Sequence, residues 1–144
     1  MEIITLKNGL RIAFHKIPYV RSCAMNLYIK YGSRDETAEQ SGAAHFIEHM
    51  LFKGTNTLTN EQIAEKIDRL GGQFNACTAK EYTCIYCHVI SEAIREGLSL
   101  LLKIATDPKF DKDDLETERG VILEEINMYE DSPEDRCSDM LTAL

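Results

Sequence analysis

The sequence has 144 residues, of which 44% are hydrophobic and 28% charged, and its net charge is −8. A chain of this length folds as one domain with a core of its own. The acidic balance argues against nucleic acid as a partner, because phosphate binding needs clustered Lys and Arg side chains. It suits either a solvated acidic surface or an attraction for basic peptides.

The first third of the chain alternates between apolar and polar residues in the manner of β-strands. Residues 3–16 predict a strand pair that turns at Asn8-Gly9, a dipeptide typical of tight hairpins. Residues 22–31 predict another strand. A short helix is then predicted from about 41 or 42 to 52, ahead of a glycine that ends it.

The middle of the chain predicts a capped helix followed by strand. Thr59 and Gln62 have the spacing of a capping box, and apolar residues follow at helical period. Gly71-Gly72 ends that helix. Residues 73–90 are rich in Thr, Tyr, Ile, Val and Cys, which favours one long strand or a strand pair.

The last part of the chain predicts three helices, at about 91–106, at 111–129, and from Pro133 onward. The apolar side of the first of these comprises Ile94, Leu98, Leu101, Leu102 and Ala105. The order of elements indicates an α+β fold, in which helices pack on one face of a largely antiparallel sheet. The chain ends in the middle of a helical pattern.

The pattern with the clearest chemistry is H-x-x-E-H, formed by His45, Glu48 and His49. On a helix these positions share one face. Two imidazoles one turn apart bind a single Zn²⁺, and the carboxylate beside them reaches a water on the metal. The surrounding residues are almost all apolar, which predicts a buried helix whose polar groups need partners. The alternative is two core histidines hydrogen-bonded to an acid.

A catalytic zinc takes a third protein ligand and keeps one position open. Candidates lie in the predicted helix at 111–129, where helical periodicity separates two stripes. The mostly apolar stripe comprises Leu115, Glu118, Ile122, Glu125, Ile126 and Tyr129. An unpaired buried carboxylate is costly, so the acids on this stripe are the candidates. We expect Glu125 to be the ligand and Glu124, on the polar stripe, to be solvated. Glu118 either supports a ligand histidine or the bound water, or forms a partly exposed salt bridge.

Three blocks of sequence, in this order, resemble the inverted-zincin peptidases, the family of pitrilysin, insulin-degrading enzyme and the catalytic subunit of the mitochondrial processing peptidase. The blocks are residues 45–55, 71–76 and 118–126. The resemblance covers essentially the whole chain, and bacterial processing-peptidase-like members look most similar. It implies one lobe of the pitrilysin-like peptidase fold and zinc-dependent hydrolysis of peptide bonds.

By that resemblance the zinc ligands are His45, His49 and Glu125. Glu48 is then the general base that takes a proton from water and passes it to the leaving amine, and Glu118 is an auxiliary acid. Two alternatives stay open: a non-catalytic scaffold or peptide-binding subunit of the same family, and a structural zinc site. A structural site is normally closed by four ligands, whereas only three good ones are present.

The resemblance also implies residues that bind substrate. Asn75 and Ala76 belong to the strand that lines the family's substrate cleft. Asp135 and Asp139 fall where processing peptidases place acids that recognise a basic substrate residue, and their four-residue spacing puts them on one helix face. Alternatively, these two acids are solvated and only favour the helix dipole.

The family's enzymes are longer, so the resemblance implies that residues 1–144 are an N-terminal zinc-peptidase domain, truncated from an enzyme with two homologous halves. The expected partners are a peptide substrate and either a C-terminal homologous half or a partner subunit, with homo-oligomerisation left open. No membrane partner is expected, since no stretch approaches ~20 apolar residues and no secretory signal is visible. Five irregularly spaced cysteines are typical of reduced thiols in the cytoplasm.

Overall fold

A computed structural model describes residues 1–142, except for the side chains at positions 138, 139 and 142. The strands are β1 (Glu2–Thr5), β2 (Arg11–Phe14), β3 (Ser22–Ile29), β4 (Gln73–Thr78) and β5 (Thr83–Ile90). The α-helices are α1 (Ala43–Met50), α2 (Asn60–Leu70), α3 (Ile94–Thr106), α4 (Lys112–Glu130) and α5 (Pro133–Thr142). The α+β class predicted from the sequence is therefore confirmed.

The strands form two antiparallel sheets. β1 pairs with β2 around Gly9, whose φ of 88° is the left-handed conformation that a tight turn requires, as the Asn8-Gly9 dipeptide predicts. Every residue of this hairpin is exposed. The second sheet has the order β3-β5-β4, so the predicted strand region at 73–90 is a strand pair with β5 in the centre.

The core lies between the three-stranded sheet and helices α1 to α3. Ile85 and Cys87 of the central strand are 1% and 0% exposed. The buried cluster comprises Leu51, Ile63, Ala76, Ile85, Cys87, Leu100, Leu101 and Ile104. Full burial of each large aliphatic side chain contributes about 1.5–3 kcal/mol, so this cluster holds the helices against the sheet.

The buried face of α3 differs from the predicted one. The buried residues are Gly97, Leu100, Leu101 and Ile104. At Gly97 a Cβ atom would lie 3.1 Å from Val89 Cγ1 and 3.2 Å from Met25 Cε, so the missing side chain lets the helix approach the sheet closely. Leu98 and Leu102, which the sequence places on the apolar side of the helix, are 42% and 41% exposed.

Helix α2 has the capping box that the sequence predicts. The Thr59 hydroxyl accepts from the Gln62 N–H at 3.3 Å, and the Gln62 side chain accepts from the Thr59 N–H at 3.0 Å. The helix ends at Gly71, whose φ is 58°. Ile63 is 1% exposed and fixes α2 in the core.

Helices α4 and α5 complete the described chain. Glu118 and Ile122 are the buried residues of α4, whereas Ile126 and Tyr129 of the same predicted stripe are 50% and 62% exposed. The two buried residues lie on the helix that packs against the much shorter α1. Helix α5 restarts at Pro133, as predicted. Among the described helices, none is long and apolar enough to cross a membrane.

Candidate metal centre

The N-terminus of α1, the helix that carries the H-x-x-E-H pattern, is held by Glu36. Its carboxylate accepts hydrogen bonds from the N–H groups of Gly42 and Ala44, both at 2.7 Å. These bonds satisfy two N–H groups without partners inside the helix, and they place a negative charge at the positive end of the helix dipole. Because Glu36 lies several residues before the helix, no short capping motif reveals it in the sequence.

Helix α1 packs through two buried residues and leaves its histidines half-buried. Ala44 and Met50 are 3% and 0% exposed, and the Ala44 carbonyl accepts a hydrogen bond from the Thr78 hydroxyl of β4 at 3.4 Å. The prediction of a helix buried nearly all round is wrong, since Ile47 is 44% exposed. On the side that carries the H-x-x-E-H pattern, the His45 side chain is 40% exposed and that of His49 18%.

Three nitrogen and oxygen atoms converge beside this helix. The Nε2 atoms of His45 and His49 are 3.2 Å apart. The Glu125 Oε2 atom, from α4, lies 3.7 Å from Nε2 of His45 and 3.5 Å from Nε2 of His49. The three predicted ligands thus form a triangle of donor atoms contributed by two helices.

This triangle matches the donor arrangement of a zinc ion. Tetrahedral ligands about 2.0–2.1 Å from a zinc lie roughly 3.3–3.4 Å from one another, close to the three separations observed. The side chains of His45 and Glu125 are 40% and 35% exposed, so one side of the triangle faces solvent. The residues fit a zinc site with its fourth position open, rather than a closed structural site.

Glu118 contacts the far side of the His49 ring. Its Oε2 atom lies 3.0 Å from Nδ1 of His49, and Glu118 is only 5% exposed. A proton on Nδ1 donated to this carboxylate leaves a lone pair on Nε2, the atom that faces the other two donors. The predicted alternative, a partly exposed salt bridge, describes only part of this position: Glu118 does pair with Lys53, but its own side chain is only 6% exposed.

The second oxygen of Glu118 contacts Lys53, a residue that the sequence analysis did not select. Burial raises the pKa of the Glu118 carboxyl, but hydrogen bonds from Lys53 and His49 outweigh burial, and the pKa lies below its ordinary value. Glu118 is therefore a carboxylate at neutral pH. The available signal was the position of Lys53, four residues after His49 and just beyond the end of α1.

Glu48 lies on α1 directly before His49 and is half-buried. Within the described part of the chain, its carboxylate has no hydrogen bond or ion pair. Glu118, in contrast, has both oxygens engaged. Glu48 is thus the acid on α1 that is free to accept a proton, whereas Glu124 on α4 is exposed, as predicted.

The predicted substrate-binding residues lie in two places. Asn75 and Ala76 are on β4, at one edge of the three-stranded sheet and on the strand that α1 contacts. Asn75 is exposed and its side-chain oxygen accepts from the Ala76 N–H at 2.9 Å. Asp135 is exposed in the first turn of α5. Asp139 belongs to α5, but its side chain is outside the described residues.

Known proteins are similar to this chain in sequence. The family described as insulinase (peptidase family M16) matches residues 11–144. A Bacillus subtilis protein named uncharacterized zinc protease YmxG is 47% identical over 138 residues, which cover 96% of this chain and 34% of the relative. A Mycobacterium leprae protein, also named an uncharacterized zinc protease, is 46% identical over 139 residues, 96% of this chain and 31% of the relative.

A solved structure is also similar. The crystal structure of a protease from Helicobacter pylori matches with a TM-score of 0.83 and 28% sequence identity, over 94% of this chain and 33% of that chain. This chain therefore spans about a third of the length of the relatives and of the structure it matches.

Proposed function

This chain belongs to the insulinase family, peptidase family M16, and on that basis we propose that it is the zinc-binding part of a zinc-dependent endopeptidase that cleaves peptides or presequence-like segments. The observation that carries the proposal is the triangle of His45, His49 and Glu125 donor atoms, with separations of 3.2 to 3.7 Å. A zinc ion held there supplies Lewis acidity, which polarises a scissile carbonyl and acidifies water.

Two glutamates next to the triangle have separate proposed roles, one in proton transfer and one in orienting a ligand histidine. We assign Glu48 as the general base: its carboxylate oxygen accepts a proton from the attacking water and returns it to the nitrogen of the leaving amine. Its lack of a partner among the described residues supports this role. Glu118 holds Nδ1 of His49, so that the ring keeps one orientation and one tautomer.

Substrate is proposed to bind as an extended strand beside β4. The strand lies at a sheet edge next to α1, and an edge strand offers backbone groups that pair with a peptide of any sequence. Asn75 and Ala76 lie on this strand. Asp135 and Asp139 are proposed to bind a basic side chain of the substrate, supported by their acidity and their positions on α5.

The rest of the enzyme is proposed to come from a C-terminal homologous half or from a partner subunit, with a homo-oligomer as one arrangement. The support is length, because the matched relatives are about three times longer than this chain. A cytoplasmic location is proposed as well, supported by five cysteines that are all free thiols.

The proposal is tested on the full-length protein by zinc analysis and hydrolysis of a fluorescence-quenched peptide. We expect the wild type to bind zinc and to cleave the peptide. Glu48→Gln should still bind zinc, but its kcat/KM should fall by about 10²–10⁴-fold or more. Glu124→Gln, which changes an exposed acid, is the matched control. A zinc-loaded wild type without hydrolysis would instead favour the non-catalytic peptide-binding subunit.

A further inference from the structure

Lys53 lies just beyond α1, and its ammonium group reaches the buried carboxylate of Glu118. The side chain of Glu118 is only 6% exposed, and that of Lys53 is 33% exposed. Each oxygen of this carboxylate has a different partner: Oε1 contacts Lys53, and Oε2 faces Nδ1 of His49 at 3.0 Å. A carboxylate with both oxygens engaged has one preferred orientation about its last torsion, which is otherwise broad.

We propose that Lys53 is a positioning residue of the metal centre, which acts through Glu118 to hold His49 in the orientation that presents Nε2 to the metal. Lys53 does not lie in the donor triangle and is not a ligand. Without its charge, the buried carboxylate would keep one partner instead of two and would be free to turn away from Nδ1. The inference rests on the proposed function only in requiring that the triangle binds zinc.

Hydrogen bonds fix the backbone around Lys53, so the side chain starts from a defined position. The Lys53 N–H donates to the Met50 carbonyl at 3.1 Å. Gly54 follows with a φ of 144°, and its carbonyl accepts from the Lys109 N–H at 2.9 Å. The Thr55 side chain is buried and accepts from the Leu58 N–H at 3.0 Å. Because the backbone of this loop is already held, only the rotamers of the Lys53 side chain have to be fixed for its ammonium group to reach Glu118.

Zinc affinity of the full-length protein tests this role without any measurement of hydrolysis. Competition with a chromophoric chelator at fixed pH should show Lys53→Met binding zinc about 10-fold or more weakly, the lower end of the loss caused by removing an outer partner of a metal ligand. Lys53→Arg keeps the positive charge and should recover most of the affinity. Lys109→Met, which removes a lysine paired with Asp111 at 3.1 Å on the surface, should change it less than about twofold.

A double-mutant cycle separates positioning from a general effect on folding. If Lys53 acts through Glu118, Lys53→Met should cost no further zinc affinity once Glu118→Gln is present. The absorption spectrum of the Co²⁺-loaded protein should shift in Lys53→Met and return in Lys53→Arg. Lys53→Gln serves the same comparison if circular dichroism shows that Lys53→Met is unfolded.

Two results would overturn the proposal: wild-type zinc affinity in Lys53→Met, or an equal loss of affinity in the wild-type and Glu118→Gln backgrounds. A wild-type protein that binds no zinc would overturn both this proposal and the proposed function. Zinc binding with the expected coupling, but without peptide hydrolysis, supports the positioning role and overturns only the proposed hydrolysis.

Discussion

The Oε2 atom of Glu125 lies 3.5 Å from Nε2 of His49, which brings α4 and α1 together at one point. The residue before it, Glu124, is exposed. Two adjacent glutamates therefore have different environments, because successive side chains of a helix project about 100° apart. The pair offers a matched test of the metal site.

Glu125→Gln should weaken zinc binding by more than about 100-fold, since the loss of an outer partner alone costs about 10–100-fold. Glu124→Gln should leave the affinity unchanged, because its side chain is solvated. Chelator competition on the full-length protein measures both. Equal losses in the two variants, or a loss confined to Glu124→Gln, would contradict the assignment of Glu125 as a ligand.

Glu36→Ala should destabilise the protein by about 1–2 kcal/mol, because it removes the acceptor for two N–H groups at the start of α1 and the negative charge at that end of the helix. The measurement is the free energy of unfolding in urea. Glu39→Ala removes a nearby exposed acid and is the control, for which a change within about 0.5 kcal/mol is expected. Equal effects of the two substitutions would show that Glu36 does not cap α1.

Gly32→Ala should destabilise the protein by about 1–3 kcal/mol, as expected for overpacking. A Cβ atom at Gly32 would lie 2.4 Å from the Ala79 carbonyl oxygen and 2.6 Å from the Tyr82 nitrogen, and these backbone atoms cannot easily move. Gly120→Ala is the contrasting variant: no atom lies within 4 Å of its Cβ, and alanine favours the helix by about 0.5–1 kcal/mol. The midpoint of thermal unfolding should therefore fall in Gly32→Ala and rise in Gly120→Ala. A shift in the same direction in both variants would contradict the close approach at Gly32.

The cysteines should react with a thiol reagent at very different rates. Cys77 and Cys137 are exposed, whereas Cys84 and Cys87 are buried. Burial raises the pKa of Cys87 to about 11, so at pH 8 this thiol is almost entirely in its unreactive protonated form. Mass spectrometry after a short treatment should show Cys77 and Cys137 modified, and Cys87 modified only in denaturant. Fast native modification of Cys87 would show that the centre of the sheet opens.

Much of the fold follows from local sequence rules that the structure confirms. The Asn8-Gly9 turn closes a hairpin, the Thr59 and Gln62 capping box starts α2, and Pro133 opens α5. Each of these signals acts within a few residues, so neighbouring side chains and backbone groups decide it. For residues 73–90 the composition favours strand but does not distinguish one long strand from a pair.

The sequence also predicted the three residues of the donor triangle, but it did not reveal the residues that support them. Helical period places His45 and His49 on one face of α1 and separates Glu125 from Glu124 on α4, whatever the rest of the fold. The contact of Lys53 depends on where a distant helix packs, since it meets Glu118 of α4, and that of Glu36 depends on how the loop before α1 folds back on the helix. No spacing rule encodes those contacts.

Helix α3 also shows the difference between what the sequence predicts and what depends on the tertiary structure. The sequence predicts an amphipathic helix at about 91–106, because apolar residues recur at helical period. The side that is buried depends on the tertiary structure: Gly97, which has no side chain, lets the helix approach Val89 closely, and Leu98 and Leu102 remain partly exposed. Periodicity reports where apolar groups lie around a helix, but the fit of two surfaces selects the side that meets the sheet.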